Sequence, residues 1–227
     1  MAKLEKIDSW NEWHRAYEDQ DSELYQRMLA CRRQVVAAVD ECPPGPVTVV
    51  SICGGQGLEL IGALEDHPRR DDIRGRLVEI DPDNAAYARG WAQAAQLDGL
   101  EVVTGDASVS DAYAGLPPVD VVVISGVFGH IDGTERRGLI AFLRRLCRTG
   151  ASLAWTSNRA NDGPAESVRQ MLAEESFSEV SFEDLPGDTY AFTVARHRFT
   201  GTPEPFGEPT RIFTFGSAFR RPRDDRA

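Results

Sequence analysis

The sequence predicts a doubly wound α/β domain, with a seven-stranded, mainly parallel sheet that ends in an antiparallel C-terminal hairpin. Three observations predict it. Short, apolar, β-branched runs alternate with helix-length segments between residues 47 and 157, and such strands belong to a parallel sheet covered on both faces. The last two strand patterns are joined by Pro186-Gly187-Asp188, a turn too short for a parallel crossover. A glycine-rich stretch, Ser51-Ile-Cys-Gly-Gly-Gln-Gly57, directly follows the first strand, at the sheet edge where ligands of this architecture bind.

Taken in order, the chain opens on two helical patterns. Trp10, Trp13 and Tyr17 are spaced to share one face of a short helix. Leu24, Met28, Cys31, Val35 and Val39 form the stripe of a longer one, which Asp21 or Ser22 can cap. Cys42-Pro-Pro-Gly-Pro46 then breaks the helix with a rigid linker. Strands follow at 47–52, 77–80, 100–103, 119–124 and 151–157. Helices are expected over 84–96, 134–147 and about 164–174. The hairpin is FSEVSFEDL (177–185) with YAFTVARHRF (190–199). Residues 201–227 read as an arm lying over the surface. Three segments result: 1–42, a domain over 43–200, and the arm.

Composition narrows the partners. The 227 residues suit one domain, and 41% hydrophobic with 27% charged residues sustains a packed core. Acidic residues number 36 against 25 basic, a net charge of -11. A protein that grips nucleic-acid phosphates needs the opposite sign, so no nucleic acid is expected. No apolar run reaches the roughly 20 residues of a membrane span, and the N-terminus lacks the apolar stretch of a signal peptide. The expected location is cytoplasmic. Cys31, Cys42, Cys53 and Cys147 show no metal-ligand spacing, so free thiols and no metal are expected.

The glycine loop predicts a nucleotide-like ligand, because glycines let the backbone turn sharply and approach a ligand closely. Asp81 and Asp106 stand after the second and third strands, and Asp120 opens the fourth. A carboxylate at Asp81 can accept the hydroxyls of a ribose, or it can cap the helix that Pro82 begins. Asp106 can accept from an adenine amino group, or shape a turn. The fourth strand runs into Ser125-Gly-Val-Phe-Gly-His130 beside the same crevice. The dinucleotide fingerprint is incomplete: Gly55-Gln-Gly57 is followed by Leu-Glu-Leu60, so the third glycine is missing. Glu59 also adds negative charge where a pyrophosphate would sit. A cationic or zwitterionic ligand suits the loop better.

These motifs resemble those of the class I S-adenosylmethionine-dependent methyltransferases. SICGGQG is similar to their glycine-rich first motif, EIDPDN to the acidic second, TGDA to the third and VDVVVISGVF to the fourth, and the hairpin resembles that fold's last two strands. The resemblance spans about residues 47–199. It implies a Rossmann-like methyltransferase fold and S-adenosyl-L-methionine as cofactor. Cys53, Gly54, Gly55 and Gly57 would border the methionine part, Asp81 with Pro82 the ribose, Asp106 with Ala107 the adenine, and Ser125 and Gly126 the far side of the crevice. Residues 1–42 resemble the lid that small-molecule members fold over the cofactor.

The family's tetrapeptide for amino groups of bases or glutamine is absent after strand four. In its place stands His130, either a general base facing the methyl group or a loop histidine. Trp13, Tyr17, Phe128, Asn158 and Arg159 are candidate substrate contacts. Trp13 and Tyr17 can equally be a helix packing face, and Arg159 can meet a substrate carboxylate or simply be solvated. The expected function is methyl transfer to an oxygen or nitrogen of a small molecule, by a chain that can be oligomeric. The alternatives are a nicotinamide-dependent reductase, or a methyltransferase-like fold that binds the cofactor for non-methylating cyclisation or as a scaffold.

Overall fold

The computed structural model describes residues 17, 19–158, 164–187 and 191–216. Trp10, Trp13, His14, Arg159, Asp188 and Tyr190 lie outside the described residues, as do the ends of the two outer segments. Seven strands form one sheet: β1 (Val47–Ile52), β2 (Ile73–Glu79), β3 (Leu100–Thr104), β4 (Val119–Ile124), β5 (Cys147–Asn158), β6 (Phe177–Leu185) and β7 (Phe192–Phe199). Their order is β3-β2-β1-β4-β5-β7-β6. The first five strands pair in parallel, and β7 runs antiparallel between β5 and β6. Among the described residues the α-helices are α1 (Glu23–Asp40), α2 (Ile61–Leu64), α3 (Pro82–Ala94), α4 (Gly133–Leu146) and α5 (Ala165–Glu174).

Fully buried strands account for the parallel core. All six β1 residues are buried, as are Val121, Val122, Val123 and Ile124 of β4. One face is covered by α4 and α5, with Leu139, Ile140, Leu143, Val168 and Leu172 in its core. The other face is covered by α1, α2 and α3, through Cys31, Val35, Val39, Ile61, Leu64, Ala85 and Ala88. Most of α1 is therefore a core layer of the sheet, where a lid is expected. Its apolar stripe is continuous along the helix, so it buries against the strands as a layer. Ser22 caps it by accepting from the Tyr25 amide at 3.1 Å, a contact worth about 1 kcal/mol. The proline linker is tied down by the Arg69 guanidinium, which donates to the carbonyls of Val39, Cys42, Pro43 and Gly45 at 2.8–2.9 Å.

Two strand boundaries differ from the sequence expectation. β2 begins four residues early and ends at Glu79, and β5 begins at Cys147, directly after α4. Charged Arg74 and Arg76 hide the start of β2 in the sequence: Arg74 is exposed and Arg76 pairs with Glu101 on β3 at 2.7 Å. The arm also differs, because its apolar residues sink into the fold. Ile212 and Phe213 are 5% and 1% exposed within the α4 face. Backbone bonds tie the arm to the segment after β3, with Ser110 N–H donating to Thr210 O at 2.9 Å and Ile212 N–H to Ser108 O at 2.7 Å.

Candidate active site

The carboxyl edge of the parallel strands gathers most of the residues singled out above. After β1 the chain turns through Cys53, Gly55 and Gly57 at φ of 54°, 54° and 82°, a left-handed region that costs a non-glycine residue roughly 1–2 kcal/mol. Gly54 donates to the Val78 carbonyl at 2.9 Å, and a Cβ there would fall 2.4 Å from Leu77 Cγ. The loop thus lies flat against the end of β2 because it lacks side chains. Burial first, then the carboxylates of Glu79 and Asp106, push the Cys53 thiol well above its ordinary value. It is an unreactive neutral thiol.

Glu79 is the acid that meets the loop. This last residue of β2 is 8% exposed. Its Oε2 accepts from the Gly55 amide at 2.8 Å, and its Oε1 from the Asp81 amide at 2.9 Å. Asp81, the acid expected to hold a ribose, turns its Oδ1 to the amides of Asp83 and Asn84 at 2.9 and 3.0 Å as the N-cap of α3. Pro82 fills the first position of that helix. The sequence carried the signal that separates the two acids: an aspartate followed by proline is a helix start, which leaves Glu79 as the acid of the strand end. Ile80, between them, is 66% exposed.

Asp106 follows β3. Its Oδ1 accepts from the Ser108 amide at 2.9 Å and hydroxyl at 2.6 Å, and Arg211 from the arm lies 3.5 Å from Oδ2. Burial opposes ionisation here, but Ser108 and Arg211 outweigh it and hold the carboxyl below its ordinary range. Ala107 is 3% exposed and sits in the core. Asp120 belongs elsewhere. It accepts from the Thr48 amide at 2.7 Å and pairs with Arg148, at the amino ends of β1 and β4. It closes the opposite edge of the sheet and has no part in the crevice.

Beyond β4, Ser125 donates to Glu59 Oε1 at 2.7 Å. Its Oγ is 3.1 Å from Thr156 Oγ1, which accepts from the Gly126 amide at 3.0 Å. With the Ser125 proton on Glu59 and the Gly126 proton on Thr156, the threonine hydroxyl donates to Ser125. Glu59 also pairs with Arg27 of α1 at 3.3 Å. Its charge is therefore partly balanced by Arg27.

His130 Nδ1 lies 2.7 Å from the Gly126 carbonyl and carries the proton, which leaves Nε2 as the basic nitrogen. Burial lowers its pKa, the Gly126 carbonyl partly offsets this, and the Arg27 charge lowers it further. Its ring stacks on Phe215 of the arm, with centroids 5.1 Å apart and planes 11° apart. Asn158, at the end of β5, places its amide 3.2 Å from where a Gly129 Cβ would stand. Tyr17, 9% exposed, meets Arg27 through its hydroxyl.

Two aromatic residues near these strand ends are core. Phe128 is fully buried, edge-on to Trp155 at 5.6 Å, so it is not a wall of the substrate pocket. Trp155 is fully buried in the same core cluster. Among the described residues no cluster of His, Cys, Asp or Glu can hold a metal, all four cysteines are free, and no helix is long and apolar enough to cross a membrane. Arg27, Glu79, Thr156, Arg211 and Phe215 complete the site and were not singled out from the sequence.

No family model matches the chain, and no curated protein matches it. Solved structures do. Magnesium protoporphyrin IX methyltransferase (ChlM) from Synechocystis PCC 6803, with bound SAM, is 18% identical with a TM-score of 0.61, over 85% of this chain and 91% of that one. A TehB-like SAM-dependent methyltransferase from Corynebacterium glutamicum is 15% identical with a TM-score of 0.57, over 84% and 96%. An O-methyltransferase family protein from Burkholderia thailandensis is 18% identical with a TM-score of 0.53, over 85% and 69%. The chain has the fold of the class I S-adenosylmethionine-dependent methyltransferases.

Proposed function

We propose that this chain is an S-adenosylmethionine-dependent methyltransferase that transfers a methyl group to an oxygen or nitrogen of a small molecule. The observation that carries the reading is the Glu79 carboxylate, held against the glycine loop at Gly55 and one strand away from Asp106. Two acids at neighbouring strand ends, with Gly54, Gly55 and Gly57 between β1 and α2, match a ligand with hydroxyl and amino donors and no phosphate. In this reading Glu79 accepts from the ribose hydroxyls and exposed Ile80 lies against the adenine. Asp106 accepts from the adenine amino group. Asp81 acts through the α3 cap that presents Glu79 and the loop. Structural neighbours that bind SAM or SAH support the same cofactor here.

When bound, the cofactor supplies an electrophilic methyl on a sulfonium. The protein's own part is to orient the acceptor, exclude water and take a proton. His130 is the candidate base. Its Nδ1–H is anchored on Gly126 O, which makes Nε2 the basic nitrogen, and burial lowers its pKa. Asn158, Tyr17, Trp13 and Arg159 remain the proposed acceptor contacts, with Phe215 added as a wall behind His130. The net charge of -11 favours a small acceptor over a nucleic acid, in a soluble cytoplasmic protein.

Calorimetric titration with S-adenosylmethionine, S-adenosylhomocysteine and NADH tests the reading. Micromolar binding of the first two without NADH is expected. Binding of NADH alone would replace the reading with a nicotinamide-dependent reductase, and cofactor binding without methyl transfer to any acceptor would leave a scaffold or cyclase.

A further inference from the structure

Arg27 is a buried cation at this edge that the reading above gives no part in ligand binding. Its side chain is 6% exposed, on the face of α1 turned toward the ends of β4, β5 and β7. Nη2 meets the Tyr17 hydroxyl and Glu59 Oε1, the latter at 3.3 Å. The rings of Phe192 and Tyr17 flank the guanidinium carbon at 5.2 and 5.6 Å. Nε reaches no acceptor. Nη1 is turned to Gly126, 3.8 Å from the place a Cβ there would occupy.

A guanidinium used only to staple α1 to the sheet would be expected to spend its donors on that job, because buried N–H groups without acceptors are costly. Here one nitrogen makes a long contact to Glu59, Nε reaches no acceptor, and Nη1 faces Gly126. That glycine has φ of 70° and no side chain, so a ligand atom can approach there.

We propose that Arg27 receives the carboxylate of a small acid bound beside Gly126. The planar, permanently charged guanidinium suits a carboxylate better than any other side chain. The Phe192 and Tyr17 rings supply an apolar surround in which that charge pair is poorly screened. Glu59 and Ser125, bonded to each other next to Arg27, present an acceptor of the opposite sign. These charges thus match either the amino-acid head of the cofactor or an acid group on the methyl acceptor. The inference rests on the methyltransferase reading only for which ligands are tried.

The test compares wild type with Arg27→Met, Arg27→Lys and the double variant Arg27→Met/Glu59→Gln, which leaves no buried carboxylate unpaired. Thermal melts establish that each is folded. The probes are S-adenosylhomocysteine, 5′-deoxy-5′-methylthioadenosine, which lacks the amino-acid head, and benzoate added to the S-adenosylhomocysteine-loaded protein. A tenfold or larger loss for S-adenosylhomocysteine, with methylthioadenosine unchanged, assigns the carboxylate to the cofactor. Unchanged S-adenosylhomocysteine, with Arg27-dependent benzoate binding lost, assigns it to the acceptor. Folded variants that bind every probe as wild type does, or that lose the two nucleosides equally, overturn the proposal. If wild type binds neither nucleoside, the methyltransferase reading fails; benzoate binding to the free protein that requires Arg27 would then still uphold the anion site, and its absence would sink that too.

Discussion

Glu79 Oε2 accepts the amide proton of Gly55 at 2.8 Å, tying the end of β2 to the turn after β1. The same carboxylate accepts from the Asp81 amide, so one side chain sets the positions of both the loop and the start of α3.

Replacing Glu79 with Gln is therefore expected to weaken S-adenosylhomocysteine binding at least tenfold, about 1.4 kcal/mol, because a charged acceptor is lost where the ribose hydroxyls would donate. Asp81→Ala should instead lower thermal stability by about 1 kcal/mol through the lost cap, with a smaller effect on binding. Calorimetry and melting curves on both variants separate the two acids. The reverse ranking would return the ribose to Asp81.

His130→Ala should leave cofactor affinity unchanged and lower turnover by about 100-fold or more, read as S-adenosylhomocysteine formed. Because burial holds the imidazole below its ordinary value, the acidic limb of the wild-type rate profile should lie below pH 6.5. Undiminished turnover in the variant would remove His130 as the base.

Trp155 Nε1 donates to His197 Nδ1 at 3.2 Å, deep between β5 and β7. A proton on that nitrogen would break the bond, and burial, only partly countered by Glu179, lowers the His197 pKa to about 4. Below pH 6.5 the unfolded chain takes up a proton that the folded chain refuses, so stability present at neutral pH is lost on acidification. Between pH 6.5 and 5, before ordinary carboxylates titrate, the expected loss is about 2 kcal/mol. Melting temperatures across that range check it, with His197→Gln expected to flatten the slope.

Phe213→Ala should destabilise the protein by about 3 kcal/mol, since the ring is 1% exposed in the α4-side core. Denaturant unfolding measures this. A change under 1 kcal/mol would mean that the arm is an appendage to the fold and no part of its core.

The parallel core was legible because each β-branched run is bounded by a helix-length polar stretch, and VTVVSI and VDVVVI match their strands residue for residue. The starts of β2 and β5 were not, because Arg74, Arg76 and Arg148 interrupt the apolar pattern while their heads reach solvent or acidic partners. At the site, the glycines and Asp106 are local signals and were readable, whereas Glu79 was passed over for Asp81, which caps the next helix. Arg27 and Phe215 were not, since they arrive from opposite ends of the chain and only tertiary packing brings them beside His130 and Glu59. Asp120 opens its strand, which in a parallel sheet places it at the amino edge, away from the crevice.

The placement of β7 has a consequence for the order of assembly. β6 leaves the ribosome before β7, but among the described residues its only neighbouring strand in the sheet is β7. Until residues 192–199 have been synthesised, β5 keeps one long, apolar edge open, and β6 has nothing to join. The nascent chain can form the β1–β5 layer early, but the sheet closes only by late insertion of a strand between two that are already made. That exposed interval, when an unpaired edge invites association with other chains, should be the step at which chaperone dependence and aggregation concentrate.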